Sequence, residues 1–196
     1  SDSDDAGIGL GDDTSLGMDV AGAEIQNITA GTVEFATAGA VNVDNITATN
    51  SNNIGTVLID ATGAVEFKTA DSTFNALTVE GDAGVTLSFS VTADTGAVSI
   101  DSDVDNNGAG PFTIANGKAL TNTNRAINIT ADDISLTGTI AAGSGTVTIS
   151  DSDDAGIGLG DDTSLGMDVA GAEIQNITAG TVEFATAGAV NVDNIT

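Results

Sequence analysis

Short pairs of apolar residues, separated by a single residue, recur along the whole chain, and Gly introduces most of them. One series runs Val33/Phe35, Val57/Ile59, Leu77/Val79, Val98/Ile100, Ile127/Ile129, Val147/Ile149 and Met167/Val169. A second alternates with it: Val41/Val43, Val65/Phe67, Leu87/Phe89, Phe112/Ile114, Ile134/Leu136, Ile157/Leu159 and Ile174/Ile177, the last pair breaking step by one residue. An apolar period of two predicts β-strands with one face inward. Thr and Val fill most of the remaining strand positions, as suits a pleated surface. No apolar stripe at helical spacing persists for a dozen residues. Gly flanks nearly every pair, as in Gly31-Thr32-Val33 and Gly145-Thr146-Val147, where it supplies the backbone of a tight corner.

A longer period overlies this one. Residues 1–47 and residues 150–196 are identical letter for letter, an offset of 149 residues. The chain therefore reads as one 149-residue unit, residues 1–149, followed by the start of the next identical unit, residues 150–196. Each apolar series has seven members per unit, so one member follows another after a mean of 21.3 residues. The sequence begins without Met and in mid-pattern, which makes it an expected segment of something longer.

Two architectures fit such a dense run of short strands. In a parallel β-solenoid each coil stacks on the one below at about 4.8 Å. The alternative is a string of antiparallel β-sandwiches. Nearly constant coil length favours the solenoid, as does an aromatic content of 3%, too low for a sandwich core. Asn-Gly occurs only at Asn107-Gly108 and Asn116-Gly117, neither between matched strands, so hairpin signals are missing. The expected fold is all-β, a parallel β-helix of about seven coils per 149-residue unit.

Composition narrows the chemistry. Against 29 Asp and Glu stand 3 Lys and Arg, a net charge of −26, with no His, Cys, Trp or Tyr. Imidazole bases, thiolate nucleophiles, disulfides and His- or Cys-ligated zinc are thereby excluded. A phosphate backbone or an anionic membrane surface finds too few cations, so nucleic acid is not an expected partner. No apolar run is long enough to insert in a membrane. With 40% hydrophobic residues, the chain still has material for a thin core of Val, Ile, Ala and Leu.

The stretch of residues 127–149, INITADDISLTGTIAAGSGTVTI, resembles the filamentous-haemagglutinin-like repeats of giant bacterial surface adhesins. So do Gly7-Ile8-Gly9-Leu10-Gly11, Ala23-Glu24 and Ile28-Thr29-Ala30-Gly31-Thr32-Val33. The resemblance implies a right-handed parallel β-helix, exported to the cell surface or beyond it, that serves as a stalk, fibre or adhesin shaft.

Carboxylate pairs such as Asp4/Asp5, Asp12/Asp13 and Asp132/Asp133 lie beside Gly and Ser turns. The only basic residues are Lys68, Lys118 and Arg125, so an enzyme is not expected. The best candidate metal site is Asp101-Ser-Asp103-Val-Asp105-Asn-Asn-Gly108, whose alternating oxygen ligands resemble the first half of a Ca²⁺ loop. Phe112 stands at the twelfth position in place of a closing Glu, and the competing reading is an exposed acidic turn. A second acidic patch, Asp2, Asp4, Asp5, Asp12 and Asp13, recurs as Asp151, Asp153, Asp154, Asp161 and Asp162. Stacked at coil spacing, these carboxylates would repel and invite cations. Five Asn-Ile-Thr sequons, at Asn27, Asn45, Asn128, Asn176 and Asn194, are candidate glycosylation sites, each expected to point its Ile inward. The sequence therefore predicts an extracellular or cell-surface structural fibre or adhesin shaft. Its expected partners are copies of itself end to end, and glycans or other cell surfaces. The alternative is a Ca²⁺-dependent surface binding module.

Overall fold

The computed structural model describes residues 5–196. It is all-β, with 47% strand and 7% helix, and its strands lie in long parallel stacks. The chain winds repeatedly through three faces. The first face stacks Ile8–Gly11, Val41–Asp44, Val65–Phe67, Val85–Leu87, Phe112–Ile114 and Ile134–Leu136. The second stacks Ala30–Thr37, Ile54–Ala61, Leu77–Gly81, Val98–Asp101, Ile127–Ala131, Thr146–Asp151 and Thr181–Ala185. The third stacks Ser72–Phe74, Val91–Ala93, Ala119–Asn122, Thr139–Ala141 and Ile177–Thr178.

Within each face the register brings like onto like. On the second face Val33, Val57, Leu77, Val98, Ile127, Val147 and Val182 form one inward column, and Phe35, Ile59, Val79, Ile100, Ile129, Ile149 and Phe184 a second. Slipping any strand by one residue would turn its whole apolar set to solvent, so the register is fixed by burial. Along the first column successive members are 24, 20, 21, 29, 20 and 35 residues apart. The strands keep their places despite this variation, because surplus residues leave at the corners. The 29-residue winding expels residues 102–111 as a loop.

Six of the seven expected pairs of the first series form the second face. Met167/Val169 does not. It belongs to a doubled rung of the first face, in which Met167–Val169 pairs in parallel with Ile157–Gly160 and Val190–Asp193 follows on the other side. The first copy does the same, with Met18–Ala21 beneath Ile8–Gly11. Ile174 and Ile177, also expected as one strand pair, are divided between the short helix Gly171–Gln175 and the third-face strand Ile177–Thr178. The pair expected at Leu87/Phe89 is Val85/Leu87, and Phe89 lies beyond the strand. From Ile8 to Ile157 the first face climbs seven rungs, whereas the second climbs six from Val33 to Val182. The expected count of about seven coils thus describes the first face. The second has one fewer.

The doubled rung explains the Gly-rich strand Ile8–Gly11. Residues 12–17 fold back over its outer side to begin the parallel strand below. A Cβ on Gly9 would stand 2.5 Å from the carbonyl oxygen of Asp13. Gly11, at φ +83°, would place a Cβ 1.8 Å from the carbonyl oxygen of Asp44. Only glycine leaves room for the return at position 9 and for the close approach of the neighbouring strand at position 11.

Unit boundaries leave no seam in the second face, since Thr146–Asp151 runs straight across residues 149 and 150. Below Ser72–Phe74 the third face is completed by two single helical turns, Ala48–Ser51 and Gly22–Ile25, and the Ser51 hydroxyl donates to the Thr73 carbonyl at 2.9 Å. The interior is a single column of aliphatic side chains with Phe67 and Phe74 meeting edge to face, centroids 6.3 Å apart. Phe67 is fully buried between Val43 and Leu87. Phe67→Ala is expected to lower unfolding stability by about 3–5 kcal/mol in chemical denaturation, the range for truncating a buried aromatic. A loss under 1 kcal/mol would contradict a packed interior.

Candidate acidic corner

The carboxylates gather where the second face turns into the first. Asp60, Glu80 and Asp101 are direct lateral partners on three successive rungs, which sets their outward side chains about 4.8 Å apart along the axis. Asp82, Asp103, Asp105, Asp132, Asp151 and Asp153 surround the same corner. Burial raises the Glu80 carboxyl above the usual range, and Asp60, Asp101 and Glu34 add to it. Asp82 is raised by burial and then by Asp105, Asp60 and Asp103. Burial also raises Asp132, with Asp153 and Asp103 next. For Asp101 burial outweighs the hydrogen bond that the Asp103 amide donates to its Oδ1 at 3.3 Å.

The three expected Ca²⁺ ligands do not converge. Asp103 is fully buried and serves as the anchor of its own loop. Its Oδ1 accepts from the Asn107 amide at 3.2 Å. Its Oδ2 accepts from the Gly108 amide at 3.2 Å and from the Ser152 hydroxyl, two windings on, at 2.6 Å. Asp105 is exposed and holds the Asn107 side-chain amide at 2.7 Å. Among the described residues no cluster of three or more acidic groups has the geometry to hold a metal ion. Alternating acids before a Gly therefore build an Asp-anchored corner here, a role the spacing alone does not distinguish from ligation.

In the second acidic patch, Asp2 and Asp4 lie outside the described residues. Asp13 pairs with Lys68 Nζ at 3.3 Å and accepts from the Ser15 amide and hydroxyl. Burial pushes its carboxyl up, but these bonds and the ammonium outweigh it and leave it below the usual range. Asp12 Oδ2 takes the Asn45 amide at 2.7 Å. Asp44, largely buried beside it, is raised by burial and then by Asp12, and its Oδ1 has no hydrogen-bond partner. In the recurring copy, Asp162 is lowered by bonds from Ser164. Asp151 accepts from the Gly156 amide at 2.7 Å and the Thr186 hydroxyl at 3.0 Å through Oδ2, while Oδ1 is buried without a partner. Burial is the main cause of its raised carboxyl. Asp168, raised by burial and then by Asp133, stands at the doubled rung. There the ladder is replaced by side chains: Asp133 accepts from the Asp168 amide at 3.1 Å, and Glu173 accepts from the Leu136 amide at 2.8 Å.

Of the five sequons, Asn128 is exposed on the outer side of the second face, with Ile129 inward. The other four Asn side chains donate to protein acceptors: Asn27 to the Ala23 carbonyl, Asn45 to Asp12, Asn176 to the Leu136 carbonyl and Asn194 to Asp161. Ile46 is buried as expected, Ile28 and Ile177 are partly covered, and Ile195 is 48% exposed. Of the cations, Lys118 lies over the Phe89 ring at 3.8 Å and Arg125 is exposed. Among the described residues no helix is long and apolar enough to cross a membrane.

Among the described residues seven carboxyls are raised and two lowered. A raised carboxyl binds its proton more tightly in the folded chain, so it destabilises the fold above its folded value and ceases to do so below the unfolded one. Asp13 and Asp162 act in the opposite sense, their contribution vanishing only as pH falls below the ordinary range. The melting temperature is therefore expected to rise by several degrees from about pH 7.5 to about pH 5, just above the ordinary carboxylate range. Added salt at neutral pH should act in the same direction by screening. Melts followed by circular dichroism check both. A melting temperature that falls over this interval would contradict the repulsive corner.

Comparison with protein-family profiles, with curated proteins and with solved structures gave no match.

Proposed function

We propose that this chain is a length of structural shaft, built from tandem β-solenoid units and working outside the cell or at its surface as a fibre or adhesin stalk. The observation that carries this reading is the uninterrupted second face. Ile127, Val147 and Val182 stack in one register across the unit boundary, so a further unit extends the same column. Load along the axis falls on backbone ladders and a continuous apolar column. This is the arrangement by which repeat proteins gain length without a new core.

The outer surface suits an element that stays separate from its neighbours. Thr and Asn line the strands and the acids give −26 of charge, which holds parallel shafts apart. The basic groups that a carboxylate-based hydrolase or lyase would use are dispersed, with Lys68 on Asp13 and Lys118 on Phe89. This supports a mechanical role.

Length is the test. Six rungs per unit on the second face correspond to about 29 Å. Chains carrying one, two and four further copies of residues 1–149 should grow by about that amount per unit in X-ray scattering, at constant cross-section. Growth as separate globules, or by a much larger increment, would overturn the shaft.

A further inference from the structure

Asn-Gly occurs twice in the chain, at Asn107-Gly108 and Asn116-Gly117. The pair carries a chemistry of its own. A glycine has no side chain to shield its amide nitrogen, so that nitrogen can reach the carboxamide carbon of the preceding Asn. The structure puts the two pairs in opposite settings.

Asn107-Gly108 lies in the loop anchored by Asp103. The Gly108 amide donates to Asp103 Oδ2 at 3.2 Å, and the Asn107 amide donates to Oδ1 at 3.2 Å. The Asn107 side-chain amide donates to Asp105 Oδ2 at 2.7 Å. Both groups that would react are therefore held. The surrounding charge is adverse as well. A Cβ on Gly108 would stand 3.4 Å from Asp153 Oδ2 and 3.5 Å from Asp132 Oδ1. An amide anion formed at Gly108 would face three carboxylates.

Asn116-Gly117 turns the corner between Phe112–Ile114 and Ala119–Asn122. The Lys118 amide closes the turn on the Ala115 carbonyl at 3.0 Å. Both residues are exposed. Among the described residues neither the Asn116 side chain nor the Gly117 amide has a hydrogen-bond partner. Nothing lies within 4 Å of a Cβ placed on Gly117. A single hydrogen bond thus restrains the swing about the Asn116 backbone that brings the two groups together. The next residue carries a positive charge, the Lys118 ammonium over the Phe89 ring, which favours an amide anion where the acids of the other loop oppose it.

We infer that Asn116 is a site of spontaneous modification, where the chain converts its own side chain through a cyclic imide. Hydroxide takes the Gly117 amide proton, and the nitrogen attacks Asn116 Cγ. The new C–N bond closes a succinimide, and the side-chain nitrogen takes a proton from water and leaves as ammonia. Water then opens the ring at either carbonyl, leaving aspartate or isoaspartate at position 116. The corner accommodates both products. The Gly138 amide donates to the Ile114 carbonyl at 3.0 Å and the Thr139 amide to the Lys118 carbonyl at 2.9 Å. The winding above therefore spans the base of the turn and leaves residues 116 and 117 outside the ladder, where the longer backbone of isoaspartate strains nothing. Each 149-residue unit has one such turn and gains one negative charge there as it ages. This inference rests on the corner alone and is independent of the shaft reading.

Timed peptide mapping of the 196-residue chain in near-neutral buffer, folded and in denaturant, is the test. Lys68 and Lys118 bound one tryptic peptide, residues 69–118, that holds both Asn-Gly pairs. Fragment masses assign each amide-to-acid conversion to its residue, and an isoaspartate-specific methyltransferase marks the branched product. The folded chain is expected to convert Asn116 ahead of Asn107 by about tenfold or more. That factor corresponds to about 1.4 kcal/mol, less than one amide–carboxylate hydrogen bond contributes. In denaturant the two should convert at similar rates. Asn116→Gln should lose the fast conversion and keep the melting temperature. An Asn116 that stays intact in the folded chain while the denatured chain converts would overturn the inference. So would equal rates for Asn107 and Asn116 in the folded chain.

Discussion

The hydrogen-bonded ladder between successive windings is the constraint from which the rest follows. A strand in a parallel stack must meet a backbone edge above and another below, and every strand pairing among the described residues is parallel. Inward side chains must then fall directly over inward side chains. The columns from Val33 to Val182 and from Phe35 to Phe184 are that requirement expressed in residues. Variation is confined to the corners, where windings of 20 to 35 residues discharge their surplus as loops, short helices or a doubled rung.

The same register that stacks Val and Ile inside stacks acids outside. Asp60, Glu80 and Asp101 become neighbours because each follows an inward residue at the same corner. Their repulsion opposes the fold, and it is met locally. Asp103 turns inward to bind two amides of its loop and the Ser152 hydroxyl, and Asp13 takes Lys68. Others, Asp44 and Asp151 among them, keep a buried oxygen without a partner and hold their protons more tightly. An acidic exterior and a thin interior thus arise from one geometry.

The second face was legible in the sequence, because its inward residues are large, branched and regularly spaced. The third was not. Its inward positions include Ser72, Ala93 and Asn122, which do not read as apolar alternation. Asn122 is buried all the same, donating to the Gly96 carbonyl and accepting from the Arg125 amide, so it fixes a corner as a hydrophobic residue could not. The doubled rung was hidden for another reason. Met-Asp-Val has the pattern of any strand, and it is the crowding at Gly9 by Asp13 that shows the chain folding back there to begin a second strand. At the acidic corner the sequence identified the residues but not their direction. Asp101, Asp103 and Asp105 alternate as ligands would, yet the buried Asp103 points into its own loop. Among the sequons, Asn128 alone lies mid-strand, where the pleat turns its side chain outward and away from protein acceptors.

The direction of the backbone ladder is the most direct test of this winding. Aligned specimens of long tandem arrays, examined by X-ray fibre diffraction, should give a strong reflection near 4.8 Å along the fibre axis, the spacing between stacked strands. A 4.8 Å reflection perpendicular to that axis, or none at all, would contradict a chain wound around its long direction.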